Sequence, residues 1–236
     1  MKKVLIGIGT CENFEYVEEH CLGKIFSQTY KDFDVLLVDN SEDIIHSMHL
    51  RSRWGSEAKI MHIDRAAIFR DACKEIRQYI LDYALYNNYE FLFFVDIDII
   101  LEEDTLTKLI SHNLDFVTAP IGYMYQTYST CFVQDFEEKR SSKVPYLPPL
   151  KPITWTMMEY EPYFMEIIAV GLSCALVRCS ILPGIKFKVT HQIQAMMEDF
   201  FFCSDIRKKG VKLFLDKTIH TIHAHVKMPE RKWRRL

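Results

Sequence analysis

Residues Phe91 to Val95 form an uninterrupted apolar run, and Asp96-Ile97-Asp98 follows at once. A short run of this kind suits a strand buried on both faces, as in the centre of a parallel sheet covered by helices. Such a strand delivers the chain to the sheet's carboxyl edge, where open α/β sheets bind their ligands. If extended geometry persists to residue 98, Asp96 and Asp98 point the same way, because strand side chains alternate with period two. Two carboxylates facing one way repel each other unless a cation lies near them. Mg²⁺ and Mn²⁺ take such oxygen ligands and share them with phosphates. Read alone, Asp-x-Asp is also what an acidic turn before a helix looks like. Its neighbours along the chain carry the weight.

Val4 to Ile8 reads as a first buried strand, followed by a loop at Gly9-Thr10-Cys11-Glu12 and a helix to about Gln28. Asp34 to Val38 reads as a second buried strand ending in Asp39-Asn40-Ser41. Strand, helix, strand in this order implies a right-handed parallel βαβ unit. A helical piece around Ile44 to Arg53 and a strand from Lys59 to Ile63 come next. The spacing then predicts a long helix from about Ala66 to Tyr86, with Phe69, Cys73, Ile76, Ile80 and Tyr83 as its apolar stripe. Arg70 and Arg77 fall off the centre of that stripe. Glu102-Glu103-Asp104 opens a short helix, and Leu114 to Val117 is a further strand.

From Ala119 to about Glu166 the periodicity breaks down, with six prolines among aromatic and charged residues. A long irregular stretch in a compact domain is usually a functional loop or a local excursion, and it is expected here to be an acceptor-side lid or subsite, with a structural meander as the alternative. Ile167 to Val177 is apolar with a break at Gly171. A helix runs from about Met196 to Lys209, with Gly210 as its terminating residue. Val211 to Leu215 and Thr218 to Val226 are expected strands, the second carrying His220, His223 and His225.

A net charge of −3 gives no general reason to expect nucleic-acid binding. Seven cysteines, an odd number with no Cys-x-x-Cys pair, argue for buried reduced thiols rather than a disulfide framework. The apolar run at the amino terminus is too short for a signal sequence, and no apolar stretch reaches membrane-spanning length. The expected compartment is therefore cytoplasmic. The tail Arg231-Lys232-Trp233-Arg234-Arg235 offers at most a weak, peripheral contact with an anionic membrane surface.

Five segments in order resemble the GT-A glycosyltransferases, in particular the large inverting family 2. Ser27-Gln28-Thr29-Tyr30, Phe33 and Val38-Asp39-Asn40-Ser41-Glu42-Asp43 resemble that family's opening motif. Arg70-Asp71 resembles its Arg-Asn pair, with Asp in place of Asn. Val95-Asp96-Ile97-Asp98 looks like its DxD, and Gly171 to Arg178 like its acceptor-side "G-x-x-x-L-x-R" strand. Glu198-Asp199, with Arg207 and Gly210 downstream, resembles its "E-D" helix.

The resemblance implies an α/β GT-A domain, with a Rossmann-like, mostly parallel sheet flanked by helices and a smaller acceptor-side portion. It would occupy residues 1–236 as a single domain: a nucleotide-sugar half at 1–118, an acceptor-side half at 119–226, and a basic tail at 227–236. It also implies roles. Thr10 and Asp39 would hold the nucleoside, and Arg70 would approach the base or diphosphate, with Arg65 as a competitor. Asp96 would meet the ribose or the metal's water shell, Asp98 would bind the metal, and His223 would complete the metal site as a neutral imidazole. Asp199 would be the general base, with Glu198 positioning the acceptor. The cofactor would be Mn²⁺ or Mg²⁺, the donor a UDP- or GDP-sugar, and the acceptor a glycan, lipid-linked sugar or protein. A retaining GT-A enzyme and a non-catalytic nucleotide-sugar or glycan-binding module are the alternatives. A nucleotidyltransferase is disfavoured, because the loop after the first strand is acidic and poor in glycine.

Overall fold

The structure is a computed structural model, and it describes residues 4–122, 128–137, 147–190 and 198–224. Its centre is an eight-stranded sheet. In chain order the strands and helices of the first half are β1 (Val4–Thr10), α1 (Glu15–Phe26), β2 (Phe33–Asp39), α2 (Ile45–Trp54), β3 (Ala58–His62), α3 (Phe69–Tyr86) and β4 (Phe91–Asp96). After these come β5 (Ile99–Leu101), α4 (Thr105–Ser111), β6 (Phe116–Thr118), β7 (Tyr128–Gln134), β8 (Leu150–Thr154) and α5 (Trp155–Tyr160). The chain continues through β9 (Phe164–Ile167), β10 (Ala169–Val170), β11 (Cys174–Arg178), α6 (Glu198–Lys208), β12 (Leu213–Asp216) and β13 (Thr221–His223).

The central sheet runs β3-β2-β1-β4-β11-β6-β12-β9. β3, β2, β1 and β4 are mutually parallel, whereas β11 is antiparallel to both its neighbours and β9 is antiparallel to β12. The sheet is mostly parallel with helices packed on it, as expected. Phe91 to Val95 are all buried, which is why this strand needs no polar alternation.

The registers align the strand ends. Thr10 pairs with Asp39, Asp39 with His62, and Gly9 with Asp96. Asp96, Thr10, Asp39 and His62 therefore form a row along one carboxyl edge.

Gly7 and Gly9 set how closely α3 lies on this sheet. A methyl group at Gly7 would stand 2.2 Å from Ile80 Cγ2, and one at Gly9 2.6 Å from Ile76 Cγ2. With no side chain at these two positions of β1, Ile80 and Ile76 of α3 rest directly on its backbone. Arg77, next to Ile76, is thereby carried to the edge at Asp96.

Two departures from the sequence reading concern the second half. The stretch from Ala119 to Glu166, expected to be irregular, contains β7, β8, α5 and most of β9 in its described part. β8 is an edge strand of a three-stranded sheet ordered β10-β7-β8. Pro152 sits within it opposite Phe132, a position an edge strand tolerates because no ladder donor is required on its outer side. The second departure is β5, which begins right after Asp98 and pairs antiparallel with β13, aligning Ile99 with His223. The acidic residues Glu102 to Asp104 follow this short strand rather than the Asp-x-Asp directly. His225 and the basic tail lie outside the described residues.

Candidate functional site

β4 ends at Asp96, and residues 97 and 98 form a turn. The two carboxylates therefore take different partners instead of sharing one face of a strand. Asp96 accepts from Arg77 Nη2 at 3.1 Å and from Ser173 Oγ at 2.6 Å. Its backbone N–H donates to the Ser173 carbonyl, so the turn before β11 fixes both its backbone and its side chain. Asp98 accepts from His223 Nε2 at 2.8 Å, and its carbonyl takes the Ala224 N–H at 2.7 Å. The pairing of β5 with β13 closes this contact across 125 residues. Burial works against a charged His223, but the Asp98 bond and the charges of Asp98 and Asp96 raise its pKa above the ordinary value.

α6 brings the other predicted pair. Its Phe202 is fully buried, edge-on to Phe94 of β4 at 6.1 Å and stacked on Phe187 at 5.0 Å. This aromatic anchor holds the start of α6 over the end of β4. Glu198, 1% exposed, accepts from Arg77 Nη1 at 2.7 Å. Asp199 also pairs with Arg77. The carboxylate of Asp199 lies beside Gly171, where a methyl group would stand 3.6 Å from Oδ2 and 3.3 Å from Thr130 Cβ.

Arg77 is thus the centre of the site, and the sequence reading assigned it no role. Its side chain is 11% exposed and touches Asp96, Glu198 and Asp199. Burial opposes its charge, but the carboxylates of Glu198 and Asp96 outweigh this and raise its pKa further. The available signal was its position beside Ile76 on a helix facing a strand that contains Gly7 and Gly9. The two arginines singled out from the sequence are elsewhere. Arg65 pairs with Glu12, and Arg70 Nη1 points to the Thr190 carbonyl at 3.5 Å.

At the other end of the row, Asp39 is 0% exposed and fully engaged. Its Oδ1 accepts from the Ser41 N–H at 3.2 Å, Ser41 Oγ at 2.6 Å and His46 Nδ1 at 2.8 Å. Its Oδ2 accepts from His62 Nδ1 at 2.8 Å. His46 Nε2 donates to Glu18 Oε1 at 2.8 Å, and Thr10 Oγ1 donates to the same oxygen at 3.0 Å. Burial disfavours a charged His46, yet the bonds and charges of Asp39 and Glu18 push its pKa up to about 10. Burial likewise acts against the Asp39 carboxylate, but the donors from His46, Ser41 and His62 hold its pKa below the usual value. Thr10 and Asp39 therefore sit in a closed network. Neither presents a free polar atom at the edge.

Among the described residues, no three His, Cys, Asp or Glu side chains are gathered closely enough to hold a metal by themselves. Asp98 and His223 form a carboxylate–imidazole pair with Asp96 nearby. That donor set suits a divalent cation held by one or two protein ligands and completed by substrate phosphates.

This sheet order, with an antiparallel strand inserted beside β4 and carboxylates at its carboxyl edge, is that of the GT-A fold. The solved structures it resembles include S. aureus TarS 1–349 in complex with UDP-GlcNAc, at a TM-score of 0.61 and 16% identity, covering 98% of this chain and 60% of that one. GalNAc-T7, solved with UDP, GalNAc and Mn²⁺, matches at a TM-score of 0.63 and 12% identity, covering 95% and 44%. A197 from STIV matches at 0.51 and 14% identity, covering 94% and 85%. The chain thus spans less than two thirds of the TarS and GalNAc-T7 structures. No protein-family model matches the chain. No curated protein sequence matches it either. No described helix is long and apolar enough to cross a membrane.

Proposed function

We propose that this chain is a metal-dependent, inverting glycosyltransferase that moves a sugar from a nucleoside-diphosphate donor to an acceptor hydroxyl. The observation that carries this reading is the convergence of Asp96, Glu198 and Asp199 on Arg77. It brings the strand-end carboxylate of β4 and the carboxylates at the start of α6 to the same end of the sheet, where a donor held at one would meet an acceptor at the other. The UDP and UDP-GlcNAc in the TarS and GalNAc-T7 structures support a uridine donor here.

In this reading Asp98 and His223, with Asp96 beside them, hold the cation. When bound, that cation supplies neutralisation of the charge that develops on the diphosphate leaving group. Arg77 balances carboxylates that would otherwise repel an anionic donor from this edge. Ser173 keeps Asp96 aimed at the donor. Asp199 takes the acceptor hydroxyl's proton as its oxygen bonds to the anomeric carbon. The bond to the diphosphate breaks on the opposite face with its electron pair, through an oxocarbenium-like state. Glu198 is buried under Asp199 and fixes Arg77. Gly171 lets the backbone before β11 pass close to Asp199 and Thr130.

The test uses a panel of nucleoside-diphosphate sugars with Mn²⁺ on the wild type, Asp98→Asn and Asp199→Asn. Asp199→Asn is expected to keep donor binding and lose transfer by ~10²–10⁴-fold, the usual range for a general base. Asp98→Asn is expected to lose cation-dependent donor binding. A product of retained anomeric configuration, or full transfer by Asp199→Asn, sinks the inverting mechanism.

A further inference from the structure

We propose that His62 reads the nucleobase of the donor by accepting a hydrogen bond, through Nε2, from an imino N–H such as N3–H of uracil. The inference rests on the nucleoside-diphosphate reading above.

The first support is position. The diphosphate end of the site is marked by Asp96, Asp98, His223 and Arg77. Asp96 ends β4, and His62 ends β3, three strands away in the order β3-β2-β1-β4. At about 4.8 Å per strand spacing, His62 lies roughly 14 Å along the edge from Asp96. A nucleoside diphosphate whose phosphates sit at Asp96 and Asp98 extends its base in that direction if it follows the edge.

The second support is exclusion. Between these two points stand Thr10 and Asp39, and both are spent. The Thr10 hydroxyl turns down to Glu18, and Asp39 accepts four hydrogen bonds while wholly buried. Glu12 and Arg65, in the loops after β1 and β3, neutralise each other across the same region. Beyond Asp96, His62 is the member of the row that keeps a side-chain polar atom for a ligand, among the described residues. Its side chain is 19% exposed, and Nε2 has no protein partner among the described residues.

The third support is the ring's tautomer. Asp39 is an ionised, acceptor-only carboxylate held by His46, Ser41 and His62. Nδ1 of His62 must therefore carry a proton. In the neutral ring Nε2 is then an acceptor. Uracil presents a donor at N3 and satisfies it. Cytosine presents a lone pair at the same atom, leaving acceptor against acceptor, and such an unmet polar contact is rejected strongly. The network from Glu18 through His46 to Asp39 thus sets the polarity of the atom that meets the base.

The test is calorimetric binding of UDP and CDP in the presence of Mn²⁺ to the wild type, His62→Gln and His62→Lys. Both variants can donate to Asp39 and keep the buried network partnered. Gln still offers a carbonyl acceptor, whereas Lys offers donors only. The wild type is expected to bind UDP about tenfold or more tightly than CDP. His62→Gln is expected to retain most of that ratio, and His62→Lys to bring it to unity or reverse it. An unchanged UDP-to-CDP ratio in His62→Lys, with UDP still bound, overturns the role of His62 and leaves the donor reading standing. Binding of neither UDP, CDP nor GDP by the wild type removes the donor reading and the inference with it.

Discussion

Arg77 Nη2 lies 3.1 Å from Asp96 Oδ1, which ties the middle of α3 to the end of the central strand β4. The same guanidinium reaches Glu198 and Asp199 at the start of α6. One buried cation therefore holds together α3, the end of β4 and, 121 residues along the chain, the start of α6. Removing one partner from a buried charge cluster leaves the others uncompensated, which is costlier than losing an exposed pair.

Arg77→Ala is accordingly expected to destabilise the fold by ~3–5 kcal/mol. Arg77→Lys should recover part of this, because an ammonium restores the charge but not the forked geometry that meets several carboxylates. Urea denaturation of the three proteins at neutral pH checks the ordering. Equal midpoints for wild type and Arg77→Ala would show that the cluster contributes nothing to stability.

Gly9→Ala tests the close approach of α3 to β1. The added methyl would fall 2.6 Å from Ile76 Cγ2, and a β-branched side chain on a packed helix has little freedom to yield. A loss of ~1–3 kcal/mol is expected from this overpacking. Ile76→Ala in the same background should recover some of it by making room. Thermal unfolding of the single and double variants reads the coupling.

The Glu18–His46–Asp39 network predicts an alkaline fall in stability. The folded-state pKa of His46 is raised from 6.5 to about 10. A raised histidine pKa contributes stability that is fully present below the unfolded value and is lost as pH rises through the folded value. Stability should therefore decline between about pH 6.5 and 10, at up to ~1.4 kcal/mol per pH unit while only this group differs between states. His46→Gln should be less stable at pH 7 and should flatten that slope. Asp39 acts oppositely, because its lowered pKa contributes stability above the unfolded value that is lost as pH falls through the folded one. Denaturant midpoints from pH 5 to 10 on both proteins measure the His46 slope, and midpoints taken below pH 4 measure that of Asp39.

All seven cysteines are free, and six of them are buried. Burial pushes the Cys131, Cys174, Cys179 and Cys203 thiols up to about 12 and works the same way on Cys73, Cys11 and Cys21. A disulfide-exchange reagent at pH 8 should react slowly with the native protein, since the thiolate is the nucleophile. All seven thiols should appear rapidly in denaturant. A fast-reacting thiol in the native state would mark a site of local opening near that cysteine.

Much of the architecture was readable because it rests on local patterns. The strands Val4–Thr10, Phe33–Asp39 and Phe91–Asp96 are short runs of buried residues, and period and burial identify them without tertiary information. The helix at Phe69–Tyr86 shows its stripe directly. Prolines misled where their meaning depends on the neighbour. Pro152 reads as a loop residue in the sequence but lies in an edge strand, and edge status is a property of the assembled sheet.

The site divides along the same line. Asp96 and Asp98 stood out in the sequence at the end of an expected strand, whereas Glu198, Asp199 and His223 were singled out by the family resemblance. Their partners were not legible. The joining of Asp96 to Asp199 through Arg77 depends on how close α3 lies to β1, which two glycines decide. The engagement of Asp39 by His46 and His62 depends on α2 and β3 packing around one carboxylate. Local sequence determined which elements form and which chemistry stands at their ends, because those follow from backbone preference and hydrophobic period. Only the tertiary structure decided which charges meet, because a contact such as Arg77–Glu198, 121 residues apart, is set by packing distances that no local pattern encodes.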